Sequence, residues 1–81
     1  MENLPIENFD IKINTEFIKL DQLLKFAAIA ESGADAKDMI LCEMVEVNGE
    51  ICTMRGKKIR SGDNVRVTFE DAIAQISVGE E

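Results

Sequence analysis

The sequence predicts an α+β fold, and three observations carry that expectation. Leu20, Leu23, Leu24 and Ala27 recur at i, i+3, i+4 and i+7, the apolar stripe of an amphipathic helix. Val45 and Val47, then Ile51 and Thr53, alternate with polar residues on either side of Asn48-Gly49. Val65, Val67 and Phe69 alternate with Arg66 and Thr68, the period of a half-buried strand.

Taken in order, Met1 to Asn8 carries little pattern and one proline, and is expected to form a loose leader. Phe9–Ile13 alternates as a short strand, Asn14-Thr15 suits a turn, and Glu16–Ile18 suits a second extended piece. The first helix is expected over about residues 20–29, with Asp21 complementing the macrodipole in its first turn. Ser32-Gly33-Ala34-Asp35 resembles a capping box, with Ser32 as N-cap and Asp35 reaching back to it. The second helix then runs to about Cys42 and buries Ala36, Met39 and Ile40, while Lys25 and Lys37 face solvent.

Asn48-Gly49 supplies the two positive-φ positions of a type I′ turn, so the segment from Val45 to Thr53 reads as a hairpin. Ser61-Gly62-Asp63 is a turn signal, Glu70-Asp71 turns the chain again, and a last strand is expected near Ala74–Val78. Residues 79–81 are expected to fray. No internal repeat or long linker divides the 81 residues, so one domain spanning 1–81 is expected.

Composition narrows the function classes. With 46% hydrophobic and 31% charged residues, the chain has the make-up of a folded globular domain. No apolar run approaches the ~18–20 residues that span a bilayer. The N-terminus lacks a basic stretch followed by an apolar one, so no signal peptide is expected and the cytoplasm is the expected location. There is no histidine, and Cys42 and Cys52 lie ten positions apart. That pair forms no metal-ligand motif, and no imidazole is available to activate a thiolate. The two cysteines are expected to be small buried apolar residues, with no metal, no cofactor and no catalysis.

The net charge of −7 is unevenly spread. Glu2, Glu7 and Asp10 give residues 1–11 a charge of −3, and Glu70, Asp71, Glu80 and Glu81 give residues 67–81 a charge of −4. The stretch 12–66 holds all nine Lys and Arg with nine Asp and Glu, and is neutral. Four of those cations, Arg55, Lys57, Lys58 and Arg60, fall within six positions. A hairpin that hands the chain to a basic loop presents positive charge locally, and Gly56 lets the backbone approach a phosphate closely. A solvated loop that offsets nearby acids is the other reading of the same run. Asp21, Asp35, Asp38 and Glu43 read as helix-end and surface charges rather than an acid/base pair. Phe9, Phe17, Phe26 and Phe69 are the only aromatics; Phe17 and Phe69 are expected in strand core, and Phe26 flanks the helical stripe. That leaves no platform for stacking bases, so phosphate and shape contacts to folded RNA are expected in preference to single-strand stacking.

In order, these features resemble the S-four RNA-binding domain, named after ribosomal small-subunit protein four, and are most similar to its short stand-alone bacterial members. The residues that carry the resemblance are Ile18–Phe26, Glu31-Ser32-Gly33, Ala36-Lys37, Ile40, Val45, Val47-Asn48-Gly49, Arg55-Gly56-Lys57-Lys58 and Gly62-Asp63, a motif core of about residues 16–69. The resemblance implies two helices packed beside a small, mainly antiparallel sheet (the αL motif), forming a surface for structured ribosomal or transfer RNA. The expected partners are therefore such an RNA, the ribosome or a protein partner, with no membrane involved. By position, it implies RNA-facing roles for Lys19, Lys25, Ser32, Lys37, Arg55, Lys57 and Lys58; Arg60, in the same basic run, joins the candidates. The chain departs from the family pattern at Glu43, Ala28 and Ala34, where glycine is common, and at Glu46, where a cation is common. A non-glycine residue in a left-handed conformation at Glu43 would cost roughly 1 kcal/mol. Two functions follow: a non-catalytic binder of structured RNA, or a protein-interaction module that keeps the fold without RNA affinity.

Overall fold

In the computed structural model, which describes residues 4–81, apolar alternation builds a five-stranded sheet whose inner face supplies half the core. The strands are β1 (Ile6–Ile13), β3 (Val45–Val47), β4 (Glu50–Ile51), β6 (Asn64–Thr68) and β7 (Ile73–Glu80), in the order β1-β7-β6-β3-β4. A second, two-stranded sheet pairs β2 (Ile18–Lys19) with β5 (Lys58–Ile59). Helices α1 (Leu20–Phe26) and α2 (Gly33–Leu41) pack against each other beside the sheet. Every pairing is antiparallel except β1 with β7, which run parallel in register from Ile6 opposite Ile73 to Ile13 opposite Glu80.

Register explains the core. Val45, Val67 and Ala74 stand in one cross-strand row and Val47, Val65 and Ile76 in the next, so their side chains share a face. Leu20, Leu23 and Leu24 of α1, Ala36 and Ile40 of α2, and Ile59 of β5 close over that face, all fully buried. The row between them, Glu46, Arg66 and Gln75, projects to the solvent side.

Several expectations change. Residues 1–3 of the anticipated loose leader lie outside the described residues, but Ile6, Glu7 and Asn8 are paired strand. At the other end, Gly79 and Glu80 are held in β7, and the Glu81 N–H donates to Ile13 O at 3.1 Å. Because the two strands run parallel, the anticipated leader pairs with the start of β7, Ile73–Gln75, and the anticipated frayed tail with the end of β1, Lys12 and Ile13. Cys42 caps α2 in the open and Cys52 is half-buried, so neither is the buried residue expected. Met39 is half-buried too.

Helix α1 stops at Phe26 instead of continuing to Ile29 because Ala28 turns left-handed, at φ 61°. Ala28 N–H donates to Lys25 O and Ile29 N–H to Leu24 O, the paired bonds of a Schellman cap. Helix α2 ends the same way: Glu43, at φ 62°, donates to Ile40 O and Met44 to Met39 O. Glycine is the usual occupant of that left-handed position. At the start of α2, Ser32 Oγ accepts from Asp35 N–H at 3.2 Å. The reciprocal half of the capping box is not among the hydrogen bonds of the described residues, and Asp35 is one methylene shorter than the usual Glu.

Glu43→Gly should relieve the left-handed strain and remove an acid from the negative end of the α2 dipole, stabilising the fold by about 1 kcal/mol. For a domain of this size that corresponds to a rise in melting temperature of roughly 4–8 °C, measurable by circular dichroism. Ala28→Gly should act in the same direction through strain alone.

Candidate nucleic-acid interface

The basic run is not a free loop. Lys19, the N-cap of α1, offers no side-chain cap, so the first N–H groups of the helix need other acceptors. Leu20 N–H donates to Lys57 O at 2.9 Å and Asp21 N–H to Arg55 O at 3.1 Å. The start of the helix and the basic segment thus hold each other through the backbone, which leaves the Arg55 and Lys57 side chains exposed to solvent. Immediately beyond, β2 pairs with β5 and sets Lys19 directly opposite Lys58. Like charges in that relation destabilise a strand pair.

Phe17 occupies a position that its alternation does not reveal. It is half-buried, with Lys58 Nζ 4.9 Å and the Arg60 guanidinium 5.7 Å from its ring centroid. Both distances are within cation–π range. Glu16, its neighbour, accepts from Arg60 Nη1 at 3.3 Å. Among the described residues the other ion pair joins Lys12 to Asp10, so Lys19, Arg55, Lys57 and Lys58 have no ion-pair partner there. Asp21, the acid closest in sequence to Lys19, turns its carboxylate onto Gln22 N–H.

The far end of the basic run is fixed by a turn. Asp63 N–H donates to Arg60 O, and Gly62 at φ 97° occupies the third position, where a type II turn requires a positive φ. Asp63 also accepts from Arg60 N–H at 2.8 Å and from Asn48 Nδ2 at 3.1 Å. Asn48 in turn accepts from Asn64 N–H at 2.9 Å through its side-chain oxygen. Asn48 and Gly49, at φ 52° and 89°, form the type I′ turn expected of the β3–β4 hairpin. One asparagine therefore makes the hairpin and ties it to the turn that ends the basic run.

Of the eight candidates, the structure gathers Lys19, Arg55, Lys57, Lys58 and Arg60 around the β2–β5 pair and the start of α1. Lys25 and Lys37 are exposed on α1 and α2, and Ser32 is engaged as the α2 cap; no hydrogen bond ties any of these three to the cluster. Phe17, Glu16, Asn48 and Asp63 were not among the candidates. The Asn48-Gly49 and Gly62-Asp63 turn signals locate two of them in the sequence, although not the bond between them. No group of three or more Cys, Asp or Glu that could hold a metal occurs among the described residues, and no helix there is long and apolar enough to cross a membrane.

Two comparisons bear on this geometry. A family model described as S4 domain matches residues 11–77. The probable ribosome maturation protein RlbA of Bacillus subtilis (strain 168) is 42% identical over 57 residues, covering 70% of this chain and 80% of that protein.

Asn48→Ala should remove both side-chain bonds and disfavour the left-handed turn, destabilising the fold by about 1–3 kcal/mol. Denaturant unfolding measures the loss, and faster amide exchange at Asn64 would place it at this junction.

Proposed function

The chain belongs to the S4 domain family, and on that premise we propose that it binds structured RNA without catalysing a reaction on it. The observation that carries the reading is the cross-strand pair Lys19–Lys58, flanked by Arg55 and Lys57, with no ion-pair partner among the described residues. A fold gains nothing from setting two lysines face to face, whereas phosphates between them convert the repulsion into attraction. Lys25, Ser32 and Lys37 extend the proposed surface over the helices, and Arg60 adds a cation held on Phe17. The name of the Bacillus subtilis relative supports a ribosomal setting, with ribosomal RNA as the first ligand to test and transfer RNA as the second. A cytoplasmic location is part of the same proposal.

The mode of binding follows from the aromatics. Phe26 is exposed on α1 and Phe17 is covered by cations, so no pair of neighbouring rings offers a base-stacking platform. Phosphate contacts to a folded RNA suit this surface better than readout of single-stranded bases. Such contacts make affinity depend steeply on salt, by about 0.9 in log–log slope for each phosphate neutralised on a B-form duplex.

Titration of ribosomal and transfer RNA fragments across a salt series tests the proposal. Lys57→Glu/Lys58→Glu should weaken binding at least several-fold and flatten the salt slope, without altering the fold. Unchanged affinity would remove the site from this loop. Absence of binding even at low salt, together with a protein that stays bound after nuclease treatment, would replace RNA with a protein partner.

Phe17→Leu should also weaken RNA binding a few-fold, because each exposed cation–π contact contributes about 0.5–1 kcal/mol to holding Lys58 and Arg60 in place. Phe17→Tyr keeps the ring face and should leave binding close to the native value in the same titration.

A further inference from the structure

We propose that the open edge of β1 is a self-association surface, where two copies of this chain pair their β1 strands antiparallel about a twofold axis at Ile11. β1 forms one edge of the five-stranded sheet and has β7 as its single neighbour. The opposite edge, β4, is two residues long, whereas β1 offers eight residues containing neither glycine nor proline. Such an edge is a template for another strand unless charge or geometry prevents pairing.

The backbone shows which groups are available. Pro5 O accepts from Ile73 N–H and Ile13 O from Glu81 N–H, so the odd-numbered residues of β1 direct their polar groups toward β7. In a parallel ladder the alternate residues then face outward, here Ile6, Asn8, Asp10 and Lys12. A twofold axis normal to the sheet sets each residue opposite one that shares its face and its hydrogen-bonding side. An even-numbered residue therefore meets an even-numbered one, and only a few axes are possible.

Charge selects among them. An axis at Phe9 sets Ile6 against Lys12 and Glu7 against Ile11. One at Asp10 brings two Asp10 carboxylates together and sets Glu7 against Ile13. An axis at Ile11 sets Asp10 against Lys12 twice, Phe9 against Ile13 twice, and Ile11 against itself. Over the five positions 9–13 that overlap in that register, each charge meets its opposite and each apolar side chain meets another, while Ile6 and Glu7 extend past the other copy's β1. Phe9 and Ile11 are only half-buried within one chain, so a second copy would complete their cover. Lys12 Nζ already lies 3.8 Å from Asp10 in the same chain, and the partner's pair would extend this into an alternating group of four charges. The charges that repel a mismatched strand would thus admit an identical one.

Sedimentation equilibrium of the full chain, nuclease-treated and at physiological salt to screen its net negative charge, tests the proposal. The native protein should pass from the mass of one 9.0 kDa chain to that of two as concentration rises. Asp10→Lys and Lys12→Asp should each hold it at one chain, and the double reversal Asp10→Lys/Lys12→Asp should restore two. Both side chains are exposed, and circular dichroism of each variant verifies that the reversals leave the fold intact. A native chain that remains single at every concentration overturns the proposal. So does a dimer indifferent to the single reversals, or a double reversal that remains single. No RNA enters the assay, so its outcome is independent of the RNA reading.

Discussion

The two backbone bonds from the first turn of α1 to the carbonyls of Lys57 and Arg55 are the constraint on which the site depends. A helix start without a side-chain cap needs acceptors, and the basic segment supplies them because β5 holds it against β2. The same contact satisfies the helix and sets the cations in place. Remove β5 and the first turn of α1 loses its acceptors; remove α1 and Arg55 and Lys57 lose their anchor. Here the structural requirement and the proposed functional one are a single interaction.

What was legible in the sequence was what is local. Asn48-Gly49 specifies its turn through two positive φ angles, and Ser32 specifies the start of α2 through a bond three residues away. The alternation of Val65 and Val67 specifies which face of β6 is buried. The pairing of β1 with β7 was not legible, because it joins residues 67 positions apart and nothing local in either strand names its partner. Unpaired, Ile6–Asn8 and Gly79–Glu80 read as loose ends; paired, they are strand. The end of α1 escaped for a different reason. Ala27 is buried and keeps the helical period intact, so the apolar stripe runs past the residue where the backbone turns. Ala28 and Glu43 stood out only as positions where related sequences favour glycine, and both prove left-handed.

The candidate site divided along the same line. The run Arg55–Arg60 was evident from spacing, but the pairing that brings Lys19 across from Lys58 is a property of β2 and β5, each two residues long and without a periodic signal of its own. Phe17 looked like strand core because an aromatic residue beside Ile18 fits a strand. Its ring is instead half-covered by two cations, which an α+β core has no need to place there. Its location decides the meaning of the residue, and only the fold supplies that location.

Net charge is a weak guide to the local charge of this protein's surface, and the fold explains why. The strands that carry the terminal acids pair with each other: β1 carries Glu7 and Asp10, β7 carries Glu80, and the two strands lie side by side at one edge of the sheet. The basic cluster is built on the separate β2–β5 pair and the start of α1. At physiological ionic strength a charge is screened beyond about 8 Å, so an approaching polyanion responds to the local group more than to the sum over the chain. With acids outnumbering bases sixteen to nine, indiscriminate pairing would leave few cations without a partner. Among the described residues, Glu16 is the one acid ion-paired to the cluster, and it engages Arg60 while leaving Lys19, Arg55, Lys57 and Lys58 without an ion pair. A chain can therefore be acidic as a whole and still present a local group of cations, provided the fold leaves those cations without ion pairs.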